Sequence, residues 1–131
     1  MNYLLQKVRR YPLSLLCVAL VWFLSFCTVP ETRFDAVPLI DKWTHFVMYG
    51  GTCSMIWLEY WKAHNKPCWH RLFVGAWLMP VVMSGVIEIL QEYCTDGRRN
   101  GDWMDFLANA VGVTLGALLG MTILAMFRAK R

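Results

Sequence analysis

Ionisable, imidazole and amide side chains occur at the ends of long apolar segments in this chain, where they could meet and do chemistry. They lie where the second apolar segment begins, where the third ends and where the fourth begins: Asp41, Lys42, His45, Glu88, Gln91, Arg99, Asp102, Asp105 and Asn109. Lysine and arginine are suited to binding phosphate, and histidine beside carboxylates is suited to general acid–base catalysis. A charged group at membrane depth costs about 2.5–3.5 kcal/mol, so we expect each to be paired, hydrated or functional.

Helical periodicity places the polar side chains of each segment on one face. Residues four apart are neighbours on a helix, as in the pairs His45–Tyr49, Ser84–Glu88 and Asp105–Asn109. We therefore expect three polar stripes to form one pocket, with the guanidinium of Arg99 at its rim. His45 and Glu88 lie deepest within apolar sequence.

Four uncharged runs predict the helices that position this pocket. The 131 residues are 57% hydrophobic and 17% charged, which is too apolar for a soluble domain of this size. We predict an all-α bundle of four transmembrane helices in a single domain, residues 1–131, with helices at about 12–29, 42–61, 71–92 and 103–127.

The distribution of basic residues predicts the orientation of the bundle. Nine of the 13 Lys and Arg residues lie at the termini or between the second and third helices: Lys7, Arg9, Arg10, Lys62, Lys66, Arg71, Arg128, Lys130 and Arg131. By the positive-inside rule, both termini are cytoplasmic and the polar pocket faces outward. The net charge of +4 is spread over short loops, which argues against a nucleic-acid partner. Glu59 lies at the inner end of the second helix, where we expect a solvated carboxylate.

Two features predict how the helices pack. Ala108, Gly112, Gly116 and Gly120 recur every four residues, which allows close approach of a helix from the same chain or, in a homo-oligomer, from a second copy. Pro80 should kink the third helix, and a neighbouring helix should supply a partner for the carbonyl that it frees.

Three ordered motifs connect the polar residues with a known family. They are Asp41-Lys42-x-x-His45-Phe46-x-x-Tyr49, Glu88-x-x-Gln91, and Arg99-x-x-Asp102-x-x-Asp105-x-x-x-Asn109-x-x-Gly112-x-x-x-Gly116. Through them the chain resembles the VanZ-like family over roughly residues 10–127. The resemblance implies a small multi-pass protein of the bacterial cytoplasmic membrane, in a family whose name-giving member is associated with low-level resistance to the glycopeptide teicoplanin. It implies no reaction, and the doubled Arg98-Arg99 offers two residues for the motif arginine.

The pocket suggests two functions of different kinds. The first is binding of an envelope lipid or cell-wall precursor, whose anionic headgroup would contact Lys42, Arg99 and His45. The second is hydrolysis or group transfer on a lipid, with His45 as general base and Glu88 or Asp105 as the acid or orienting group. No residue of the chain stands in a recognised nucleophile motif.

Two further interpretations carry less weight. A metal site of His45, Glu88 and Asp102 or Asp105 would suit a hard cation, but the chain lacks paired-histidine or HExxH spacing, so we predict no metal and no cofactor. Alternatively, the polar groups only join helix ends in a structural or assembly protein. Interhelical polar bonds in membranes average about 0.6 kcal/mol, so that role alone explains nine polar groups poorly.

Overall fold

The computed structural model of the protein describes residues 2–27, 40–97 and 101–130, apart from the side chain of Asp41. These residues form helices and turns without a strand, in agreement with the all-α prediction. The helices are α1 (Asn2–Arg10), α2 (Pro12–Phe26), α3 (Ile40–Ala63), α4 (Trp69–Cys94) and α5 (Trp103–Ala129). The last four lie within a few residues of the predicted limits, whereas α1 is an addition to the predicted helices.

A sharp bend separates the first two helices. Pro12 begins α2, where its missing N–H costs no hydrogen bond because the first turn of a helix has no acceptor for it. The axes of α1 and α2 meet at 87°. The described residues of α1 are all exposed, including the apolar Leu4, Leu5 and Val8, and its other face is basic. α1 is therefore an amphipathic helix that leaves the bundle at a right angle.

α4 changes its winding before Pro80. Residues Phe73–Leu78 form a π-helical turn with α-helical turns on both sides. Proline has no N–H to bond the carbonyl of Ala76 four residues earlier, and its ring crowds that carbonyl. The thiol of Cys53 in α3 donates to this oxygen, with 3.0 Å between the sulfur and oxygen atoms. The distortion is thus a π-helical turn, and the freed carbonyl has a partner on a neighbouring helix.

The small residues of α5 pack against α3. The contacts are the pairs Gly112–Phe46, Gly116–Gly50 and Gly120–Trp57. A Cβ atom on Gly116 would lie 2.7 Å from the carbonyl oxygen of Gly50, so the two backbones approach as closely as glycine allows. Residue numbers increase together along the pairs, which means that α3 and α5 run parallel.

α4 runs antiparallel to α5, and α2 runs antiparallel to α3. The contacts that fix these directions include Trp77–Thr114 and Glu88–Asp102 for the first pair of helices, and Ser14–Glu59 for the second. The end of α2 meets the end of α4 through Ser25 and Gln91. The ends of α2 and α4 and the starts of α3 and α5 therefore gather at one end of the bundle, which we call the polar end.

Glu59 is buried, and the prediction that it is solvated is wrong. Its exposed fraction is 6%. One carboxylate oxygen accepts the N–H of Leu13 at 2.9 Å, and the other accepts the N–H of Ser14 at 2.9 Å and its hydroxyl at 2.6 Å. These groups lie in the first turn of α2, which has no side-chain cap from its own N-cap residue. A carboxylate of α3 therefore caps α2 and complements its helix dipole.

Some of these helices are long and apolar enough to cross a membrane. α4 and α5 each are, and α1 and α2 are only when the bent pair is taken as one span. The described residues thus contain two to three candidate spans, not clearly the four that the sequence predicts. α3 is less apolar because it carries polar side chains such as His45, Thr52 and Glu59, which are buried against its neighbours.

Candidate functional site

Lys42 joins α3 to the start of α5. Its ammonium nitrogen lies 2.8 Å from Oδ2 of Asp102 and 2.5 Å from Oδ1 of Asp105. Asp102 is also the N-cap of α5, since its Oδ1 accepts the N–H of Met104 at 2.9 Å. The hydrogen bond from Lys42 lowers the pKa of the half-buried Asp102 carboxyl, which keeps it ionised at neutral pH.

His45 lies one turn further along α3, between two residues of α5. Its Nδ1 is 3.1 Å from Oδ1 of Asn109, and its Nε2 is 3.6 Å from Oδ2 of Asp105. The exposed fractions of His45 and Asn109 are 5% and 0%. Asp105 therefore contacts both polar residues of α3, with one oxygen toward Lys42 and the other toward His45.

Glu88 approaches the same place from α4. Its Oε2 accepts the backbone N–H of Asp102 at 3.1 Å, and 7% of the residue is exposed. Gly101 permits this approach, because a Cβ there would lie 2.5 Å from the carbonyl oxygen of Glu88. Three helices thus contribute to one group of side chains, which we call the polar cluster: Lys42, His45, Glu88, Asp102, Asp105 and Asn109.

Buried polar atoms without partners occur in and next to the polar cluster. Oε1 of Glu88, Nδ2 of Asn109 and the hydroxyl of Tyr49 have no hydrogen-bond partner among the described residues. Tyr49 follows His45 by one turn on the same face of α3 and is 1% exposed. An unpaired buried polar group costs about 1–3 kcal/mol, so these atoms indicate a place that a ligand would satisfy.

The other residues predicted for the site have different surroundings or lie outside the described residues. Gln91 is at the polar end, but its Nε2 donates to the carbonyl of Ser25 at 2.7 Å and so joins α4 to α2. Arg98 and Arg99 lie outside the described residues, as does the side chain of Asp41.

A groove of about 490 Å³ lies beside the polar cluster, between α4 and α5. Its apolar and backbone walls come from Gly85, Ile89, Tyr93, Gly101, Trp103 and Phe106. Glu88, Glu92 and Asp102 add carboxylates to the same groove. Tyr93 and Trp103 are 80% and 81% exposed, so the groove opens sideways from the bundle.

Carboxylates outnumber cations in the described part of this site. The described side chains supply three carboxylates, Glu88, Asp102 and Asp105, and one ammonium, Lys42, which already contacts two of them. A bare phosphate needs unneutralised cations. The described side chains are better suited to ligand groups that donate hydrogen bonds or carry positive charge, such as hydroxyl, amide or ammonium groups or a metal ion.

The groove walls are the part of the site that sequence reasoning missed. Glu92 follows Glu88 by four residues and lies on the same helix face, so the spacing used for the other stripes would have found it. Trp103 and Phe106 each directly follow a motif aspartate. Their role as walls depends on how α4 and α5 face each other, which periodicity does not reveal.

The comparisons with known proteins agree with the motifs. The family model described as VanZ/LLP1 matches residues 3–126, a range that includes the whole polar cluster and the groove. No curated protein and no solved structure matches the chain.

Proposed function

We propose that this chain, which belongs to the VanZ/LLP1 family, is a four-pass membrane protein that binds the headgroup of an envelope lipid or lipid-linked cell-wall precursor. The observation that carries the proposal is the groove between α4 and α5, where an apolar wall adjoins the carboxylates of Glu88 and Asp102. An amphiphile needs both surfaces, since its acyl or isoprenoid chain stays among apolar groups while its headgroup finds hydrogen-bond partners.

The packing of α3 supports a fourth span. Its 24 residues extend about 36 Å at 1.5 Å per residue, which exceeds a hydrocarbon core of about 30 Å. It lies parallel to α5 from the Phe46–Gly112 contact to the rings of Trp61 and Phe127, whose centroids are 5.1 Å apart. A membrane that α5 crosses is therefore crossed by α3 as well.

The basic residues support an orientation in which the polar end faces outward. Most basic residues lie at the opposite end of the bundle. They occur in α1, in and beside the segment between α3 and α4, and at the end of α5. Under the positive-inside rule that opposite end is cytoplasmic. The ligand then belongs to the outer leaflet of the bacterial cytoplasmic membrane.

The charges of the polar cluster favour a headgroup rich in hydrogen-bond donors. Sugar hydroxyls, peptide amides or an ammonium group would pair with the unsatisfied Oε1 of Glu88. A phosphate on the same lipid would suit the motif arginine, Arg99, because a guanidinium offers two parallel donors.

Native mass spectrometry of the detergent-purified protein tests the binding proposal. The parent should retain a phospholipid or isoprenoid-linked precursor, and both Glu88→Gln and Gly85→Leu should lose it. Gly85 lies against the ring of Phe106 in the groove, whereas a Cβ on Gly75 would meet nothing within 4 Å, which makes Gly75→Leu the matched control. A folded parent without lipid, or retention by both groove variants, would contradict the proposal.

We extend the proposal to glycopeptide susceptibility because the chain belongs to the family whose name-giving member is associated with teicoplanin resistance. Expression of the parent in a teicoplanin-sensitive bacterium should raise the minimal inhibitory concentration, and Glu88→Gln should not. Equal susceptibility of both strains would overturn this extension and leave lipid binding to be judged by mass spectrometry.

The position of His45 favours lipid modification as the second candidate function. A histidine with a carboxylate at one ring nitrogen and an amide at the other has the orienting partners that a general base requires. Here His45→Gln should preserve the co-purifying lipid but stop its conversion during incubation, followed by mass spectrometry of the extracted lipid. An unchanged lipid with the parent protein would exclude this candidate for that lipid.

A further inference from the structure

We propose that His45, Glu88 and Asp105 bind one divalent cation, of the kind that accepts mixed nitrogen and oxygen ligands, such as Mn²⁺ or Zn²⁺. The three residues come from three different helices and are 5%, 7% and 5% exposed. Each residue offers one nitrogen or oxygen atom as a ligand, and these three atoms all lie within 4.8 Å of one another. The fold thus brings together what the sequence spacing, which lacks a paired-histidine motif, did not predict.

The environment of His45 resembles that of a metal-ligating histidine. Its Nδ1 faces the carbonyl oxygen of Asn109 at 3.1 Å, and an amide oxygen only accepts hydrogen bonds. A ring that donates from Nδ1 to this oxygen binds a metal through its other nitrogen, Nε2, which lies 3.6 Å from Oδ2 of Asp105. A cation between Nε2 of His45 and Oδ2 of Asp105 could bind both atoms, with Asn109 as the group that orients the ring.

Glu88 provides an independent observation. One of its oxygens accepts the N–H of Asp102, but Oε1 is buried and has no hydrogen-bond partner among the described residues. An ionised oxygen in that position is costly unless a cation is close. The described side chains of the polar cluster include three carboxylates and one ammonium, and a divalent cation would balance the remaining two negative charges.

The distances suit a small cation after a modest adjustment. Ligands bound at about 2.1 Å in a tetrahedron are about 3.4 Å apart, and the His45–Asp105 separation is 3.6 Å. The carboxylate of Glu88 has a ligand atom within 4.8 Å of those of His45 and Asp105, so it must move toward them to bind the same ion. Three protein ligands leave coordination positions for water or a headgroup, and Glu88 belongs to both the metal site and the groove.

Equilibrium titration with Mn²⁺ tests this inference directly. The detergent-purified parent is treated with a chelator and then titrated, with free Mn²⁺ measured by electron paramagnetic resonance and bound metal by elemental analysis. We expect one ion per chain in the parent, and at least about tenfold weaker binding in Glu88→Gln and Asp105→Asn. Glu92→Gln is the matched control, because Glu92 lines the groove but is not a member of the ligand set, and it should bind as the parent does.

The parent measurement stands even if a variant fails to fold, and Zn²⁺ binding is measured directly by equilibrium dialysis followed by elemental analysis. A parent that binds neither ion above the level of detergent alone would overturn the inference, as would a folded Glu88→Gln that binds like the parent. Failure here is distinguishable from failure of the lipid proposal, since retained lipid is measured on the chelator-treated protein in the absence of any metal.

Discussion

At the scale of single residues, Asp105 is the carboxylate that couples the polar residues of α3. One oxygen contacts Lys42 and the other faces His45, and 8% of its side chain is exposed. Lys42→Met would leave a buried carboxylate without its ammonium, so we predict a loss of about 1.5–3 kcal/mol of unfolding free energy. Thermal and denaturant unfolding in detergent would measure it. The double variant Lys42→Met/Asp105→Asn should recover part of the loss, and strictly additive losses would contradict the coupling.

The capping contact of Glu59 makes a second prediction at this scale. Glu59→Ala removes three hydrogen bonds to the first turn of α2 and should cost about 0.5–2 kcal/mol of unfolding free energy. Ser14→Ala removes one of the three and should cost less in the same unfolding assay. Equal losses of unfolding free energy in the two variants would show that the two backbone N–H bonds to Glu59 contribute little.

The sequence predicts which residues of the site lie at the same level along the helices. It does not predict which of them form hydrogen bonds or ion pairs with each other. Lys42, Glu88 and Asp105 could be grouped because helical period and distance along an apolar run are local properties. The contact of Asp105 with both Lys42 and His45 depends on α3 and α5 lying side by side. Glu59 was misassigned for the same reason, since its partners belong to a helix 45 residues away in sequence.

At the scale of helices, the glycines of α5 determine how closely α3 approaches. Gly116→Ala would place a Cβ 2.7 Å from the carbonyl oxygen of Gly50 and 3.0 Å from the Cβ of Cys53, so the helices must separate. We predict a loss of about 1–3 kcal/mol of unfolding free energy. Gly51→Ala is the control, because its Cβ would meet nothing within 4 Å. If Gly51→Ala were as destabilising as Gly116→Ala, close approach would not be the cause.

The thiol of Cys53 makes a separate prediction for α4. Cys53→Ser retains a donor for the carbonyl of Ala76, whereas Cys53→Val does not. The valine variant should unfold more easily than the serine variant by about 0.6–1.7 kcal/mol, the range of interhelical hydrogen bonds in membranes. Thermal unfolding of the two variants in the same detergent would measure the difference. A serine variant no more stable than the valine variant would mean that the π-helical turn does not depend on this bond.

The helices themselves were largely predictable, because uncharged runs and proline positions are visible in sequence. Pro80 indicated that α4 is distorted, although the form of the distortion depends on the carbonyl partner that Cys53 supplies. α1 was not predicted because its nine residues include no apolar run and its helicity follows from an amphipathic pattern too short to be distinctive.

At the scale of the whole molecule, the proposed topology of four spans predicts which cysteines face which compartment. Cys68 precedes α4 and Cys94 ends it, and both are exposed. In single-cysteine variants, an impermeant thiol reagent added to intact cells should label Cys94 and reach Cys68 only after permeabilisation. The opposite pattern would invert the orientation, and labelling of both thiols in intact cells would contradict a crossing by α4.

The sideways opening of the groove also determines how its occupant arrives. Because α3 and α5 touch through their glycines, the groove opens between α4 and α5, a direction that lies within the leaflet under the proposed topology. For a ligand that enters by lateral diffusion, the concentration that governs binding is its amount per unit of membrane area and not its amount per volume of buffer. In nanodiscs, saturation of the groove should therefore follow the mole fraction of the lipid and remain unchanged when the suspension is diluted.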